Sequence, residues 1–293
     1  MTHFADRLAD AVRKKGNPLC VGIDPRWESL PLSIRDKHKH VPVGRNWAYE
    51  EFGLRVLDLV APFVPVIKVQ SAFFEVGGPA GFVAQEKILH RANDLGLITI
   101  LDAKRGDIAS TASAYAEAAF KTWNAAALTV NPYLGRDAIE PFLEKARESQ
   151  RGLFVLVRTS NPGSGLFQKL KCEGRPLYEH VADAVGIWNR ENLGECGFGD
   201  VGAVVGATHP EELRLLRNLI PNVWFLVPGY GAQGGKAGDL APAFRADGLG
   251  AIVNSSRGIT FPFHPDDPNW EGAIVAATKE AIAALREVLP SPT

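Results

Sequence analysis

Eight short runs of Val, Ile, Leu and Phe recur along the chain, and most are followed by a polar or glycine-containing turn and then by a segment with helical periodicity. Runs that are apolar throughout are typical of strands in a parallel sheet, because helices cover such a sheet and leave no strand face in water. We therefore predict eight parallel strands connected by helices. The predicted strands are residues 19–24, 66–70, 97–103, 126–131, 153–158, 201–206, 223–228 and 251–255.

The segments between these strands carry the apolar spacing of amphipathic helices. Eight strand–helix units in about 250 residues are typical of a (β/α)₈ barrel, whereas a doubly wound sheet usually stops sooner. We therefore predict an α/β protein that forms a single TIM (β/α)₈-barrel domain over residues 1–293. The predicted helices are residues 47–61, 81–94, 108–122, 138–149, 177–191, 211–218, 240–245 and 270–289.

Three further segments lie outside these units. Phe4, Leu8 and Val12 recur every four residues among charged residues, which predicts an amphipathic N-terminal helix rather than a signal peptide. Residues 25–46 and 160–176 are longer than ordinary loops. Long loops in a compact domain are usually either covers over a functional site or insertions particular to a family.

The charge and cysteine content of the chain limit the classes of partner and the kinds of site that we expect. The chain has 32 basic and 33 acidic residues without a long run of one sign, so we expect a small-molecule partner rather than nucleic acid or a membrane surface. No apolar stretch approaches the roughly 18 residues that a membrane span needs. The cysteines, Cys20, Cys172 and Cys196, follow neither a disulfide nor a zinc pattern. Free thiols in a reducing cytoplasm are the simplest interpretation.

The ends of the predicted strands carry polar side chains. The active site of a (β/α)₈ barrel lies at the carboxyl ends of its strands, so we expect residues there to face one another. So many polar and charged residues at one mouth of the barrel predict a catalytic or binding site. These strand-end residues are Asp24, Lys68, Asp102, Lys104, Asp107, Ser160, Gln233 and Arg257.

Asp102 and Lys104 are central to this prediction. Side chains alternate along a strand, so we expect both to share one face while Ala103 points the other way. Opposite charges about 4 Å apart interact by roughly 4 kcal/mol at an effective dielectric near 20, before desolvation is subtracted. A buried lysine flanked by carboxylates stays protonated, which suits a proton donor or an electrostatic anchor rather than a Schiff-base nucleophile.

Five of these residues also have a purely structural explanation. Asp107 is placed to cap the helix predicted to follow it, and Asp102 with Lys104 to form a salt bridge on the rim. Asp24, which precedes a proline, is typical of a turn, and Lys68 resembles a strand-end lysine that reaches into solvent. Both interpretations stay open for each residue alone, and only their coincidence favours a site.

The loop after the seventh predicted strand, PGYGAQGG at residues 228–235, has glycines that let backbone N–H groups approach an anion. Barrels commonly bind phosphate with the loops after strands seven and eight. Arg257 follows strand eight and adds a planar donor that can bind two phosphate oxygens. Because glycine-rich loops also serve tight turns, the combination with Arg257 is what predicts a phosphate site.

Together these motifs resemble orotidine 5′-phosphate decarboxylase. The segment DAKRGD, residues 102–107, matches the DxKxxD signature of that family, which alone would also fit relatives in the same superfamily. The similarity is to the longer bacterial subgroup and runs from about residue 15 to residue 287. The other matching motifs are VGIDPR (residues 21–26), IKVQSAFFE (67–75), RTSNPG (158–163), PGYGAQGG (228–235) and the turn with Arg257.

The resemblance implies a carboxy-lyase of UMP synthesis. Orotidine 5′-phosphate loses its C6 carboxylate as CO₂ and the carbon is protonated, without a cofactor or a metal. Lys68, Asp102, Lys104 and Asp107 form a charge array in this family, and Lys104 protonates C6. Asp107 and Thr111 act in the active site of the neighbouring subunit, which implies a homodimer with two shared sites.

The resemblance also assigns the substrate contacts. The carbanion left by CO₂ has no adjacent electron sink, so catalysis must come from placed charge and binding energy, and a cation at C6 is the minimum requirement. Binding residues implied by the resemblance are Asp24 and Lys68 for the ribose hydroxyls, Ser160 for the pyrimidine, Gln233 as a bridge between that loop and the phosphate, and Arg257 with the backbone of Gly234 and Gly235 for the phosphate.

Three other functions stay open at this point. A sugar-phosphate decarboxylase of the same superfamily keeps the DxKxxD motif but uses Mg²⁺ to stabilise an enediolate. A Schiff-base aldolase would use Lys68 or Lys104 as a neutral amine, against which the carboxylates beside Lys104 argue. A catalytically silent sensor of a phosphate ligand would have no use for so costly a charged cluster.

Overall fold

Eight parallel strands close into a barrel in the computed structural model, which describes residues 2–207, 210–230 and 237–290. The barrel strands are β1 Leu19–Ile23, β2 Val66–Gln70, β3 Ile98–Arg105, β4 Ala127–Val130, β5 Gly152–Arg158, β8 Val201–Val205, β9 Phe225–Val227 and β10 Ala251–Ser255, while β6 Lys171–Cys172 and β7 Arg175–Pro176 form a separate hairpin. Around the barrel the order is β1-β10-β9-β8-β5-β4-β3-β2. The predicted TIM-barrel fold is confirmed, and every predicted strand ends within two residues of an observed one.

Helices cover the outer face of the barrel. The predicted helix at 240–245 is instead a 3₁₀ helix, Ala237–Ala243, because Pro242 lacks the N–H that an α-helix needs. The predicted helix at 108–122 is α-helical only to Glu117 and ends in a π-helical turn, Ala118–Thr122. The described α-helices are α1 Phe4–Lys15, α2 Leu32–His38, α3 Gly44–Val60, α4 Ala72–Glu75, α5 Gly78–Asp94, α6 Ala109–Glu117, α7 Arg136–Glu148, α8 Gly165–Gln168, α9 Leu177–Arg190, α10 Pro210–Leu219, α11 Arg257–Thr260 and α12 Trp270–Arg286.

Both long loops contain short regular elements of their own. Residues 25–46 include a 3₁₀ turn, Trp27–Ser29, and α2. Lys37 of α2 forms an ion pair with Glu51 of α3 at 2.7 Å, and the ring of His38 hydrogen-bonds to the same carboxylate at 2.8 Å. Residues 160–176 include α8 and the β6–β7 hairpin. The two segments are therefore folded insertions between barrel elements rather than structureless loops.

The predicted amphipathic helix α1 closes the amino-terminal end of the barrel. Phe4 and Leu8 are buried in one cluster with Phe154 of β5 and with Trp224, which directly precedes β9. The helix lies so close that a Cβ atom at Gly152 would come 2.3 Å from the ring of Phe4. We call this apolar cluster the floor of the barrel. Because buried side chains occupy the floor, we expect a ligand to bind at the opposite end of the barrel.

Among the described helices, none combines the length and the hydrophobicity that crossing a lipid bilayer would require.

Candidate active site

The inward residues change from apolar to polar along the strands. In β3 the inward positions run from Ile98 and Ile100 to Asp102, and in β2 from Val66 to Lys68. Period-two alternation brings successive inward residues to higher levels of the barrel, so the polar ones gather at the carboxyl ends of the strands. We call this polar end of the barrel the mouth.

A buried carboxylate, Asp102, lies at the centre of the mouth and accepts four hydrogen bonds. Its Oδ1 accepts from Lys104 Nζ at 2.6 Å and from Thr129 Oγ1 at 2.9 Å. Its Oδ2 accepts from Lys68 Nζ at 2.8 Å and from Gln70 Nε2 at 3.0 Å. Two donors on each oxygen match the accepting capacity of an ionised carboxylate. Asp102 is therefore fixed in both position and orientation.

The two buried charges of this network stabilise each other. Burial alone would raise the pKa of Asp102, but the ammonium groups of Lys68 and Lys104 outweigh it and hold that pKa well below its usual range. Burial alone would lower the pKa of Lys68, but Asp102 and then Asp24 outweigh it and raise that pKa. Both groups are therefore charged across the neutral pH range.

Lys104 is paired as predicted but is not buried as predicted. The predicted ion pair with Asp102 is confirmed by the 2.6 Å distance. The expectation of a buried Lys104 is wrong, since 45% of its side chain is exposed, whereas Lys68 exposes only 5%. Lys68 is thus the buried lysine, and it does not reach into solvent. The small exposed fraction of Asp102 also rules out a salt bridge on the rim.

The backbone explains why Lys104 departs from regular alternation. Leu101 of β3 pairs with Leu128 of β4, but the next pair is Arg105 with Val130, so β3 bulges between them. Lys104 has φ 46°, a left-handed conformation that residues other than glycine seldom adopt. The simple alternation predicted for 102–104 is therefore wrong beyond Ala103, although the bulge still returns the ammonium to Asp102.

Asp107 and Thr111 do not join this network within the chain. Asp107 is half-buried, and its Oδ1 accepts from its neighbour's backbone, Ile108 N–H, at 2.8 Å. Helix α6 starts only at Ala109, and no side chain caps it, so the prediction that Asp107 caps this helix is wrong. Thr111 is exposed on the same helix. Of the four residues in the expected charge array, the described chain brings together Lys68, Asp102 and Lys104.

Asp24 lies beside the array, and its carboxylate can accept a further hydrogen bond. Its Oδ1 is 3.8 Å from Lys68 Nζ, too far for a hydrogen bond, and has no hydrogen-bond donor among the described residues. A buried carboxylate oxygen of this kind is suited to accept from a ligand hydroxyl. The ribose contact expected of Asp24 from the sequence stays a prediction, and this placement is compatible with it.

The remaining predicted residues are placed only in part. Ser160 follows β5, packed so closely against β8 that a Cβ atom at Gly206 would lie 2.9 Å from its Cβ. Arg257 is the exposed first residue of α11 and makes no ion pair with a described residue. Gln233, Gly234 and Gly235 lie outside the described residues.

Two residues of the site, Gln70 and Thr129, were missed by the sequence analysis. Gln70 ends β2 two positions after Lys68, and Thr129 is a buried residue of β4. The sequence could have indicated Gln70, because it lies two residues after Lys68 and residues two apart share a strand face. Thr129 is the one polar side chain in an otherwise apolar β4, ALTV, and that alone could have marked it.

Comparisons with known proteins give a consistent result. Residues 17–265 match the model of the "Orotidine 5′-phosphate decarboxylase / HUMPS family". A Rhodopirellula baltica protein named orotidine 5′-phosphate decarboxylase is 46% identical, covering 95% of this chain and 97% of its own. One of the same name from Caldicellulosiruptor bescii is 40% identical, covering 90% and 91%.

Solved structures agree with these relatives. The OMP decarboxylase of Leishmania donovani superimposes with a TM-score of 0.79 at 36% identity and covers 98% of both chains. A Streptomyces avermitilis structure described as a putative orotidine 5′-phosphate decarboxylase gives a TM-score of 0.81 at 36% identity, covering 99% of this chain and 97% of that one. The likeness therefore extends over the whole barrel.

Proposed function

The chain belongs to the orotidine 5′-phosphate decarboxylase / HUMPS family, and from this premise we propose that it converts orotidine 5′-phosphate to UMP and CO₂. The observation that carries this proposal is the array of Lys68, Asp102 and Lys104 at the mouth of the barrel. It presents one exposed ammonium group, held by a buried carboxylate, at the end of the barrel opposite the apolar floor.

The array supplies what the reaction needs. The bond between C6 and the carboxylate carbon breaks, CO₂ leaves, and the electron pair stays on C6 in the plane of the ring. An ammonium group held beside C6 stabilises this charge without reorganising, which is the most effective form of electrostatic catalysis. Lys104 Nζ then transfers a proton to C6. Because its side chain is 45% exposed in the free chain, solvent can return a proton to the amine after product leaves.

The rest of the substrate is bound at a distance from the reacting carbon. Asp24 and Lys68 bind the ribose hydroxyls, supported by the free accepting capacity of the Asp24 carboxylate. Ser160 binds the pyrimidine, and Gln233 bridges the Ser160 loop and the phosphate. The phosphate is held by Arg257, supported by its lack of an ion pair with any described residue, together with Gly234 and Gly235. Binding energy from the phosphate orients the ring over Lys104.

We further propose a homodimer in which Asp107 and Thr111 complete the partner's site. Among the described residues Lys104 pairs with Asp102 and not with Asp107, whose carboxylate accepts from Ile108 N–H. Apolar side chains are exposed on the neighbouring connections after β3 and β4: Ile108 by 54%, Tyr133 by 83% and Leu134 by 52%. Apolar and aromatic groups of this kind beside a site are typical of an interface. A cytoplasmic location is proposed on the three free cysteines.

The decisive assay follows the loss of orotidine 5′-phosphate and the formation of UMP by purified protein, with and without EDTA. We expect equal turnover in both conditions. Turnover that EDTA abolishes and Mg²⁺ restores would instead favour a metal-dependent decarboxylase, and no turnover at all would refute the proposal. The Arg257→Ala variant should mainly raise KM, because it removes a phosphate contact used equally in ground and transition states.

The shared site has its own test. Lys104→Ala and Asp107→Ala homodimers should each be inactive, but co-expressed chains should recover about a quarter of wild-type activity, because half of the dimers then contain one intact site. If the mixture stays as inactive as its components, each site is built from one chain.

A further inference from the structure

Thr129 of β4 lies opposite the bulge in β3. On either side of it the strands are in register, Leu101 with Leu128 and Arg105 with Val130, so three residues of β3 face Thr129 alone. In a regular parallel ladder each backbone N–H donates to a carbonyl of the neighbouring strand. The extra residues of a bulge lose such partners. A substitute partner is therefore needed at this point of the barrel.

The hydroxyl of Thr129 supplies that partner. It accepts a hydrogen bond from the backbone N–H of Lys104 at 2.9 Å, at the residue whose φ is 46°. The same hydroxyl donates to Asp102 Oδ1 at 2.9 Å, the oxygen that also accepts from Lys104 Nζ at 2.6 Å. Thr129 thus contacts both ends of Lys104: its backbone directly, and its ammonium group through a shared carboxylate oxygen.

We propose that Thr129 is a positioning residue whose hydroxyl holds the strained backbone of Lys104 and so aims its ammonium group. The part of this proposal that concerns kcat rests on the proposed function. The half-exposed side chain of Lys104 has no described hydrogen-bond or ion-pair partner except Asp102, so its direction depends on the backbone from which it starts. Thr129 is itself 1% exposed and acts through Lys104 and Asp102 rather than on the substrate.

A valine at this position keeps the shape and removes both hydrogen bonds. The N–H of Lys104 and one accepting site on Asp102 are then left without partners, which favours a relaxed bulge. A serine keeps the hydroxyl and removes only a methyl group. The contrast between Thr129→Val and Thr129→Ser therefore separates the hydroxyl from the packing.

Thr99, lower in β3, is a matched control. Its hydroxyl also makes two bonds, accepting from Ala126 N–H at 2.9 Å and donating to Asn93 Oδ1 at 3.2 Å. It is likewise buried, at 0% exposed. Thr99→Val therefore removes an equivalent pair of bonds from the same barrel without touching Asp102 or Lys104.

The kinetic test compares these variants with the wild type on orotidine 5′-phosphate. We expect Thr129→Val to lower kcat at least about tenfold with KM changed by less than about threefold, since the hydroxyl serves an interaction made in the transition state. Thr129→Ser should keep kcat within about threefold of the wild type, and Thr99→Val should leave kcat unchanged. A Thr129→Val enzyme as fast as the wild type, or a Thr99→Val enzyme as slow as Thr129→Val, would overturn the proposal.

A crystal structure of Thr129→Val tests the same claim without activity. We expect Lys104 to leave its left-handed conformation or its ammonium group to leave Asp102, with both retained in Thr129→Ser. An unchanged Lys104 in the valine variant refutes the positioning role, whereas an inactive wild type refutes only the proposed function. If the valine variant does not fold, Thr129→Ala removes the same hydroxyl and serves in both measurements.

Discussion

The floor and the mouth of the barrel are built from the same strands but differ in the inward side chains, which are apolar at the floor and polar or charged at the mouth. At the floor, Phe4, Phe154 and Trp224 are buried together in one apolar cluster. At the mouth, Lys68 and Asp102 place two opposite charges in a similarly buried setting. The floor contributes hydrophobic stabilisation, while the buried charges of the mouth must overcome desolvation and do so by pairing with each other. Damage to the mouth should therefore change catalysis first, and damage to the floor should change stability alone.

The largest effect is expected for Lys104→Ala. Removing the ammonium group takes away both the charge at C6 and the proton donor, so kcat should fall at least about a thousandfold. The protein should still fold, because the Lys104 side chain is 45% exposed and Lys68 still pairs with Asp102 at 2.8 Å, and UMP binding should stay measurable by calorimetry. Lys87→Ala, which removes an exposed lysine paired with Glu50 at 2.8 Å, should retain wild-type kcat. A Lys104→Ala enzyme within tenfold of that control would contradict the distinction between the two regions.

A change that affects both activity and stability is expected for Asp102→Asn. Lys68 would be left buried without its main counterion, so the free energy of unfolding at neutral pH should fall by about 3 kcal/mol, and turnover should be lost. Asp58→Asn serves as the control, because Asp58 pairs with Arg91 at 2.7 Å on the surface, where such pairs contribute little. Equal stability losses in the two variants in urea unfolding would show that the array is not a buried network.

The same variant changes the response to acid. Because folding lowers the pKa of Asp102, its ionised form stabilises the protein above the unfolded pKa of about 3.9 and loses that effect as the pH falls further. Folding raises the pKa of Lys68, so its contribution is complete below about pH 10.4 and is lost only as the pH rises above that value. Below about pH 4, wild-type stability should therefore fall more steeply than that of Asp102→Asn.

A smaller and purely structural effect is expected at the floor. Leu8→Ala removes a side chain that is 0% exposed between α1 and the barrel, which should lower the free energy of unfolding by about 2–5 kcal/mol. The kcat should stay at the wild-type value under conditions in which the protein is folded. Leu215→Ala truncates a surface leucine that is 40% exposed, and it should change neither the free energy of unfolding nor kcat. A large drop in kcat for Leu8→Ala would show that the two regions are coupled.

The smallest effect concerns Cys20, at the border between the two regions. Burial raises the pKa of its thiol to about 12, so it should resist a thiol reagent at pH 8 until the protein unfolds. Cys172 is exposed and should be labelled at once, with no change in kcat. Labelling of both at the same rate, followed by mass spectrometry, would indicate that water enters the barrel below the charge array.

Much of the fold followed from sequence periodicity, and some of the site did not. The eight apolar runs predicted the strands, and the charges at 102–104 predicted the Asp102–Lys104 pair, because both depend on neighbours close in sequence. The β3 bulge could not be predicted, since it arises from a register shift against β4. The exposure of Lys104 and the role of Thr129 follow from that bulge.

The short helices of the two long insertions escaped prediction for a similar reason. Lys37 and His38 of helix α2 both hydrogen-bond to Glu51, 13 or more residues away. The turn before α8 is held by Arg158, which donates to Ser164 at 2.7 Å and to Gln168 at 3.1 Å. Such contacts form only once the barrel has brought the segments together, so local propensity does not reveal them.

The most direct test of the central claim is a crystal structure of the wild-type protein with UMP bound. We expect the pyrimidine to lie in the mouth with C6 about 3 Å from Lys104 Nζ, a distance that permits proton transfer, while Asp102 still accepts from that ammonium group. A nucleotide bound in the mouth with the Lys104 amine turned away from C6 would contradict the account.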